Sequence, residues 1–229
     1  MTTSHGRFRL CLMLLCLLAP GWVEAHPGRR FEIQVVDGRI VAQGVNTKSA
    51  PPMGESPVRP YPNVVHDHFD LFVLNGQPIG SANLPGLDIP ADTPLAGHSV
   101  YAEVTGFYLT DAEQVAAATA IGDALQPLGE DQEVRIRLNQ TDVSSRALPA
   151  QLTIAGDIPA AGVADIDPVY HFVGELGENF VVIEMQLRSD APGIAASGPV
   201  YIVMAPPGMQ YHMPALRLEI RLVSGTGGD

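Results

Sequence analysis

Residues 31–43, FEIQVVDGRIVAQ, decide the fold of this chain. Apolar side chains recur at every second position on both sides of Asp37-Gly38, and this spacing places them on one face of a β-strand. An Asp-Gly pair between two such runs is typical of a two-residue hairpin turn, because both turn positions need positive φ angles. The stretch therefore predicts an antiparallel β-hairpin.

Similar runs continue along the rest of the chain. Short alternating or β-branched segments separated by Gly and Pro predict further strands at residues 64–74, 99–109, 133–138, 151–155, 169–174, 180–187, 200–205 and 215–223. Asn75-Gly76 predicts a second hairpin turn, and Gly106 predicts a β-bulge. The last segment alternates Leu or Ile with charged residues, which is typical of a half-buried strand.

One short helix is predicted near residues 111–125. Thr110-Asp-Ala-Glu113 fits a capping box, and Gly122 and Pro127 limit the helix. The chain holds 23 Gly and 20 Pro residues, which disfavour longer helices. We therefore predict an all-β fold, an antiparallel β-sandwich or barrel-like single domain that spans residues 26–223.

The first 25 residues have the pattern of a secretory signal peptide. Arg7 and Arg9 form a basic segment, residues 10–18 are apolar, and Val23-Glu24-Ala25 supplies the residues that a signal peptidase recognises. We expect cleavage after Ala25 and a secreted or periplasmic protein. The apolar segment is too short to span a bilayer, and we predict no membrane span elsewhere.

Cleavage after Ala25 would remove Cys11, Cys16 and Trp22, the only residues of their types. The remaining chain would form no disulfide, so its stability must come from packing or from a bound partner. Residues 49–62 are rich in proline and predict a semi-rigid loop within the domain. Residues 224–229 predict a flexible tail.

The charge balance narrows the choice of partners. The chain carries 13 Lys and Arg residues against 25 Asp and Glu residues, and its net charge is −12. No Lys or Arg occurs between Arg59 and Arg135. This acidic stretch argues against a nucleic-acid partner, whose phosphates need cations. It suits solubility or cation binding, and a protein or saccharide partner stays open.

His66-Asp67-His68 is the most informative polar motif. If residues 64–74 form a strand, the side chains of His66 and His68 point to the same face, together with Asp70. Neutral imidazoles at this spacing can bind one metal ion, and imidazole suits copper, zinc, iron and nickel. The alternative is that these are ordinary surface or core histidines, and most His-x-His pairs in protein sequences are of this kind.

His26 sharpens the metal hypothesis. As a new N-terminal residue it would offer a free amine and an imidazole, and Pro27 has no backbone N–H that copper could displace. His26 with His66 and His68 resembles the histidine brace of lytic polysaccharide monooxygenases and of periplasmic copper carriers. That resemblance implies copper as cofactor, held by these residues of an exported β-sandwich.

The resemblance is confined to those residues. After the expected cleavage the chain would lack the disulfide and the tryptophan of those families, and it has His-Asp-His where the copper carriers have Asp-x-His. His66, His68 and His98 also resemble the metal ligands of cupin barrels, although a suitably spaced glutamate is missing after His68. We therefore assign none of these families.

Two other groups of metal-binding residue types occur in the sequence. Met204, Met209, His212 and Met213 would suit Cu(I), although core and turn packing explains them equally. Asp165 and Asp167, with the acids around Asp88 and Asp92, offer oxygen ligands for calcium but match no calcium-loop pattern.

No motif for nucleophilic catalysis or phosphate binding is present in the sequence. The sequence thus favours a non-catalytic binding or structural module that binds copper or zinc through His66 and His68, with His26 and His98. The alternative is a metal-dependent enzyme, either a histidine-brace copper oxidase or a cupin-like protein.

Overall fold

The computed structural model describes residues 28–46 and 61–225. The predicted signal peptide, His26, residues 47–60, which include most of the proline-rich loop, and the last four residues lie outside this part. Strands account for 50% of the structure and form three sheets in the described residues, which confirms the all-β, sandwich-like fold. In chain order the strands are β1 (Arg29–Val36), β2 (Arg39–Asn46), β3 (Val64–His68), β4 (Asp70–Leu74), β5 (Gln77–Ala82), β6 (Gly86–Ile89), β7 (Val100–Thr110), β8 (Gln126–Pro127), β9 (Glu133–Leu138), β10 (Thr141–Ser144), β11 (Ala150–Ala155), β12 (Val163–Ile166), β13 (Val169–Val173), β14 (Phe180–Ser189) and β15 (Pro199–Ala205).

Two hairpin turns form where the sequence predicts them. Asp37 and Gly38 have φ angles of 51° and 73°, and they join β1 to β2 in antiparallel register. Asn75 and Gly76, with φ angles of 53° and 80°, join β4 to β5 in the same way. These positive φ values are the ones that a two-residue turn matched to strand twist requires.

The three sheets are mainly antiparallel. Their strand orders are β12-β6-β1-β2, β10-β9-β13-β5-β4 and β11-β7-β14-β15-β3, with β8 paired to β7. Two pairs are parallel, β1 with β6 and β3 with β15, which the sequence did not predict. The predicted bulge is confirmed, since the register of β7 against β14 shifts beside Gly106.

β3 separates two hydrophobic clusters. Val65 and Phe69 belong to the main core between the sheets, whereas Val64 packs into a second cluster with the C-terminal segment. Alternate side chains of a strand point to opposite faces, so His66 lies on the same face as Val64. This face of β3 positions the candidate site.

The C-terminal segment is a helix, and the strand prediction for residues 215–223 is wrong. α2, the second helix, spans His212–Gly225, and its buried residues are Ala215, Leu218, Glu219 and Leu222. These positions recur at spacings of three and four, the period of one helix face. The alternation of Leu and Ile with charged residues is therefore not evidence for a strand here. Of its apolar residues only Leu218 and Leu222 are buried, and they are four residues apart.

The predicted helix near residues 111–125 is shorter than expected. α1 covers Ala112–Ala117, and a 3-10 turn follows at Ile121–Ala124. The side chain of Asp111, and not that of Thr110, caps α1 by accepting a hydrogen bond from the Gln114 N–H. Thr110 instead ends β7, so the predicted capping box begins one residue too early.

Other boundaries also differ from the prediction. The strand expected at residues 64–74 is two strands, β3 and β4, separated at Phe69. β5, β6, β8, β10 and β12 were not predicted. No helix in residues 28–46 and 61–225 is both long and apolar enough to cross a membrane.

Candidate functional site

His66 joins the sheet to the C-terminal helix through both of its ring nitrogens. Nδ1 lies 3.0 Å from Oε1 of Glu219, and Nε2 lies 3.0 Å from Nδ1 of His212. The side chains of His66 and Glu219 are only 3% and 2% exposed. Buried polar atoms need polar partners. The contact of His66 with His212 has hydrogen-bond geometry, whereas Oε1 of Glu219 lies within ion-pair distance of Nδ1 without it.

α2 presents both partners on one side. His212 and Glu219 are seven residues apart, which is almost two full turns of an α-helix, so their side chains share a face. Pro214 lies in the first turn, where its missing N–H costs no intrahelical hydrogen bond. The buried Leu218 and Leu222 hold the same helix against the third sheet.

Arg29 brings a positive charge to this cluster. Its Nη2 lies 3.4 Å from Nδ1 of His212, the same nitrogen that faces Nε2 of His66. A guanidinium only donates, so Nδ1 of His212 accepts from it only through a lone pair. The contact between the two rings needs one proton between Nε2 of His66 and Nδ1 of His212, and a metal ion can displace that proton.

Asp67 and His68 form an ion pair beside this cluster. Oδ1 of Asp67 lies 3.0 Å from Nδ1 of His68 and 3.7 Å from Nη1 of Arg29. Burial alone would raise the pKa of Asp67, but the hydrogen bonds from His68 and the charge of Arg29 hold it below its ordinary value. The same hydrogen bond to Asp67 raises the pKa of the half-exposed His68.

The histidines border a shared cavity of about 280 Å³. His66, His68 and His212 line it, with Met209 and Tyr211 from the turn that precedes α2. The structure thus brings His66 and His68 to one cavity, as the His-x-His spacing predicts, and it adds His212.

His98 does not join this group. Its Nδ1 lies 3.4 Å from Oδ1 of Asp190, at the end of the third sheet where β7 begins. His66 is level with Tyr108 across β15 and β14, and His98 precedes Tyr108 by ten residues, or about 30 Å of strand. The cupin-like grouping of His66, His68 and His98 is therefore not formed.

The proposed ligand His26 lies outside the described residues. Arg29, three residues later, places this end of β1 at the cavity through its contacts with His212 and Asp67. Within residues 28–46 and 61–225, no group of three or more His, Cys, Asp or Glu side chains is arranged to hold a metal ion.

The other two groups are placed differently from what a metal site needs. Met204 is buried in the main core, whereas Met209 is 73% exposed, so the methionines do not converge. Asp88, Asp165 and Asp167 do converge, but on the guanidinium of Arg30, at 2.8, 3.5 and 3.0 Å respectively. The guanidinium of Arg30 thus occupies the position between these carboxylates where a calcium ion would have to bind.

The sequence pattern did not indicate that His212 and Glu219 contact His66, or that Arg29 lies beside His212. Reading residues 212–225 as a helix would have placed His212 and Glu219 on one face. The contact between His66 and His212 spans 146 residues and left no local signal.

Comparison with known proteins assigns no family to the chain. No protein-family model matches it, and no curated protein sequence matches it. Among solved structures it is similar to the one described as "Structure of the N-terminal domain of PorA". The identity is 10%, the match covers 73% of this chain and 98% of that chain, and the TM-score is 0.33. Similarity at this level identifies no function.

Proposed function

We propose that this chain is an exported β-domain that binds a transition metal ion, copper in preference to zinc, through His66 and His212. It acts as a binding module. The observation that carries the proposal is the 3.0 Å approach of Nε2 of His66 to Nδ1 of His212, with the other nitrogen of His66 against Glu219.

Glu219 supports the proposal because of where it lies. Metal-binding histidines commonly donate their second ring N–H to a carboxylate, which fixes the ring and makes the coordinating nitrogen more basic. Oε1 of Glu219 lies 3.0 Å from Nδ1 of His66, close to where such a carboxylate would be, and Nε2 of His66 faces His212. A metal ion between the rings would take the place of the proton that lies between Nε2 of His66 and Nδ1 of His212.

The distance between the two nitrogens favours copper. Metal–nitrogen bonds are about 2.0 Å long, so nitrogens 3.0 Å apart subtend roughly 95° at a shared ion. Tetragonal Cu(II) uses angles near 90°, whereas a tetrahedral zinc site needs a wider separation of about 3.3 Å. Neutral imidazoles suit both ions, and the geometry gives the preference.

The proposal has two candidates for further ligands, His68 and His26. His68 lines the same cavity, and His26 is three residues before Arg29, whose guanidinium lies 3.4 Å from His212. Three residues of extended chain reach about 10 Å. Cleavage after Ala25 would supply the amine and imidazole of His26 to this end of the cavity, as the histidine-brace hypothesis requires.

Metal titration tests the proposal. The purified protein is stripped with a chelator and titrated with Cu(II) and with Zn(II), and the same is done with His212→Gln and His98→Gln. We expect one tightly bound ion, bound by wild type and by His98→Gln with equal affinity. We expect His212→Gln to bind at least about 100-fold more weakly, since a direct ligand should matter as much as the strongest outer partner.

Two results would overturn the proposal. The first is that neither ion binds the wild-type protein. The second is that His98→Gln weakens binding as much as His212→Gln does. Adding one alanine before His26 separates the contribution of the terminal amine, because it blocks the amine and leaves His66 and His212 unchanged.

A further inference from the structure

β4 carries half of the large exposed hydrophobic residues in the described part of the chain. Leu71, Phe72, Val73 and Leu74 are 47%, 46%, 69% and 54% exposed. Successive side chains of a strand alternate between faces, so β4 exposes apolar groups on both faces. An exposed apolar strand at a sheet edge is either covered by a partner or prone to aggregate.

β4 also has a free backbone edge. It is the last strand of its sheet, and no strand in residues 28–46 and 61–225 pairs with its outer side. Pro78, which lies opposite Val73, turns its carbonyl away from β4 to accept the Gly174 N–H at 3.1 Å. The N–H and C=O of a residue in an antiparallel strand point to the same side. Val73, and by the strand period Leu71, therefore direct their backbone groups outward.

A second copy of this chain fits this edge. Backbone donors and acceptors in a row call for another extended strand, and apolar side chains on both faces call for a strand of the same composition. No charged residue occurs from Leu71 to Leu87, although the whole chain has a net charge of −12. Two copies can therefore meet at this edge without bringing like charges together. Contact through most of the remaining acidic surface would place negative charges against each other.

We infer that the protein forms a symmetric dimer by antiparallel pairing of β4 with β4 of a second copy. Pairing centred on Phe72 places Leu71 opposite Val73 of the other copy, and both residues have their backbone groups turned outward. Each such pair exchanges two hydrogen bonds, so the two pairs make about four. The two Phe72 rings lie side by side at the twofold axis, and Asp70 faces Leu74 instead of another acid.

The pairing is self-complementary, as a twofold interface requires. It joins the five-stranded sheets of the two copies into one continuous sheet, and it covers the β4 edge of each copy. The inference is independent of the metal site, because β4 carries none of the residues that contact His66.

Sedimentation velocity of the purified protein tests the inference, up to about 0.1 mM, where even small interfaces associate. Two variants disrupt the edge: Val73→Pro removes one outward N–H and leaves the β4–β5 hydrogen bonds intact, and Val73→Lys places a charge in the interface. Val36→Lys is the matched control, because Val36 is also a half-exposed valine beside a hairpin turn. Circular dichroism confirms that each variant folds.

We expect wild type and Val36→Lys to be dimers. We expect both Val73 variants to raise the dimer dissociation constant by about 30-fold or more, the effect of losing an interface hot spot. A wild-type protein that stays monomeric would overturn the inference and leave β4 to a different partner. A dimer that tolerates both Val73 variants would place the interface elsewhere.

Discussion

Arg29 and Arg30 are neighbours on β1, yet their side chains enter two different polar clusters. Arg30 is fully buried and binds Asp88 and Asp167 at 2.8 and 3.0 Å, with Asp165 at 3.5 Å. Arg29 reaches the histidine cluster, where its contacts to His212 and Asp67 are longer, at 3.4 and 3.7 Å. The alternation of side chains along one strand produces this division.

The difference lies in what each cluster can exchange. Burial would lower the pKa of Arg30, but the hydrogen bond and charge of Asp88 and the charges of Asp167 and Asp165 raise it above its ordinary value. Its charge is thus permanent. The histidine cluster holds protons on imidazole nitrogens, which a metal ion can replace near neutral pH. We expect the first cluster to stabilise the fold, whereas the proposed function depends on the second.

The largest expected effect comes from breaking the Arg30 cluster. Arg30→Met leaves three acidic side chains around a buried apolar group, and losing one partner of a buried ion pair costs about 3–5 kcal/mol. The free energy of unfolding from urea denaturation measures this loss. Arg188→Met is the matched control, because Arg188 forms an exposed pair with Glu103 and should cost at most about 1 kcal/mol.

Equal losses in the two variants would show that the Arg30 cluster does not stabilise the fold. Metal affinity gives a second reading, since Arg30→Met should leave it unchanged wherever the variant folds. A loss of metal binding by the folded variant would remove the distinction between the clusters.

The next effect concerns Glu219. Glu219→Gln keeps the shape of the side chain but removes the charge that orients His66, so metal affinity should fall about 10- to 100-fold. Competition with a coloured chelator measures it. Glu184→Gln is the control, because Glu184 accepts a hydrogen bond from Tyr108 and lies on β14, two strands away from His66. Unchanged affinity in Glu219→Gln would mean that Glu219 only anchors the helix.

A smaller effect of opposite sign is expected at Arg29. Arg29→Gln removes a positive charge beside His212, so a cationic metal should bind more tightly, by roughly fivefold for partly screened charges. The same titration at low and high salt measures it, and the gain should shrink as salt rises. If Arg29→Gln instead weakened binding, Arg29 would be holding the site together and not opposing the metal.

The smallest effect is a pH dependence of the metal-free protein. Asp67 has a lowered pKa, so its pairing stabilises the fold above the ordinary value of 3.8 and is lost as pH falls through the lowered one. His68 has a raised pKa, so its pairing stabilises below the ordinary value of 6.5 and is lost as pH rises through the raised one. His68 is half exposed, which limits the effect to about 1 kcal/mol.

Urea denaturation with a chelator present, at about pH 5 and about pH 9, measures this difference against the ordinary histidine value. Asp67→Asn should reduce the difference. A wild-type protein that is equally stable at both values, or an Asp67→Asn variant with the full difference, would show that the pair contributes nothing.

The sequence predicted what depends on local geometry. Asp37-Gly38 and Asn75-Gly76 form the expected turns because the tolerance of Asp, Asn and Gly for positive φ is a local property that needs no distant contact. His66 and His68 line one cavity, as their spacing on a strand suggested, although Asp67 between them lines it as well. The candidate site needed more, since His212 and Glu219 reach His66 only after a distant segment packs on the sheet.

The C-terminal segment shows why local pattern was insufficient. LRLEIRLV alternates like a strand, yet Leu218, Glu219 and Leu222 are buried at helical spacing. Such a sequence satisfies both periods, and tertiary packing against the third sheet selects the helix. The alternating pattern predicted that Glu219 lies on the solvent-facing side of a strand. In the structure Glu219 is 2% exposed and contacts His66.

A crystal of the protein soaked with Cu(II) and measured at the copper absorption edge tests the central claim most directly. The account predicts one anomalous peak within about 2.0–2.2 Å of Nε2 of His66 and of Nδ1 of His212. A map with no peak between these atoms, or with copper at Asp88, Asp165 and Asp167 instead, would contradict it.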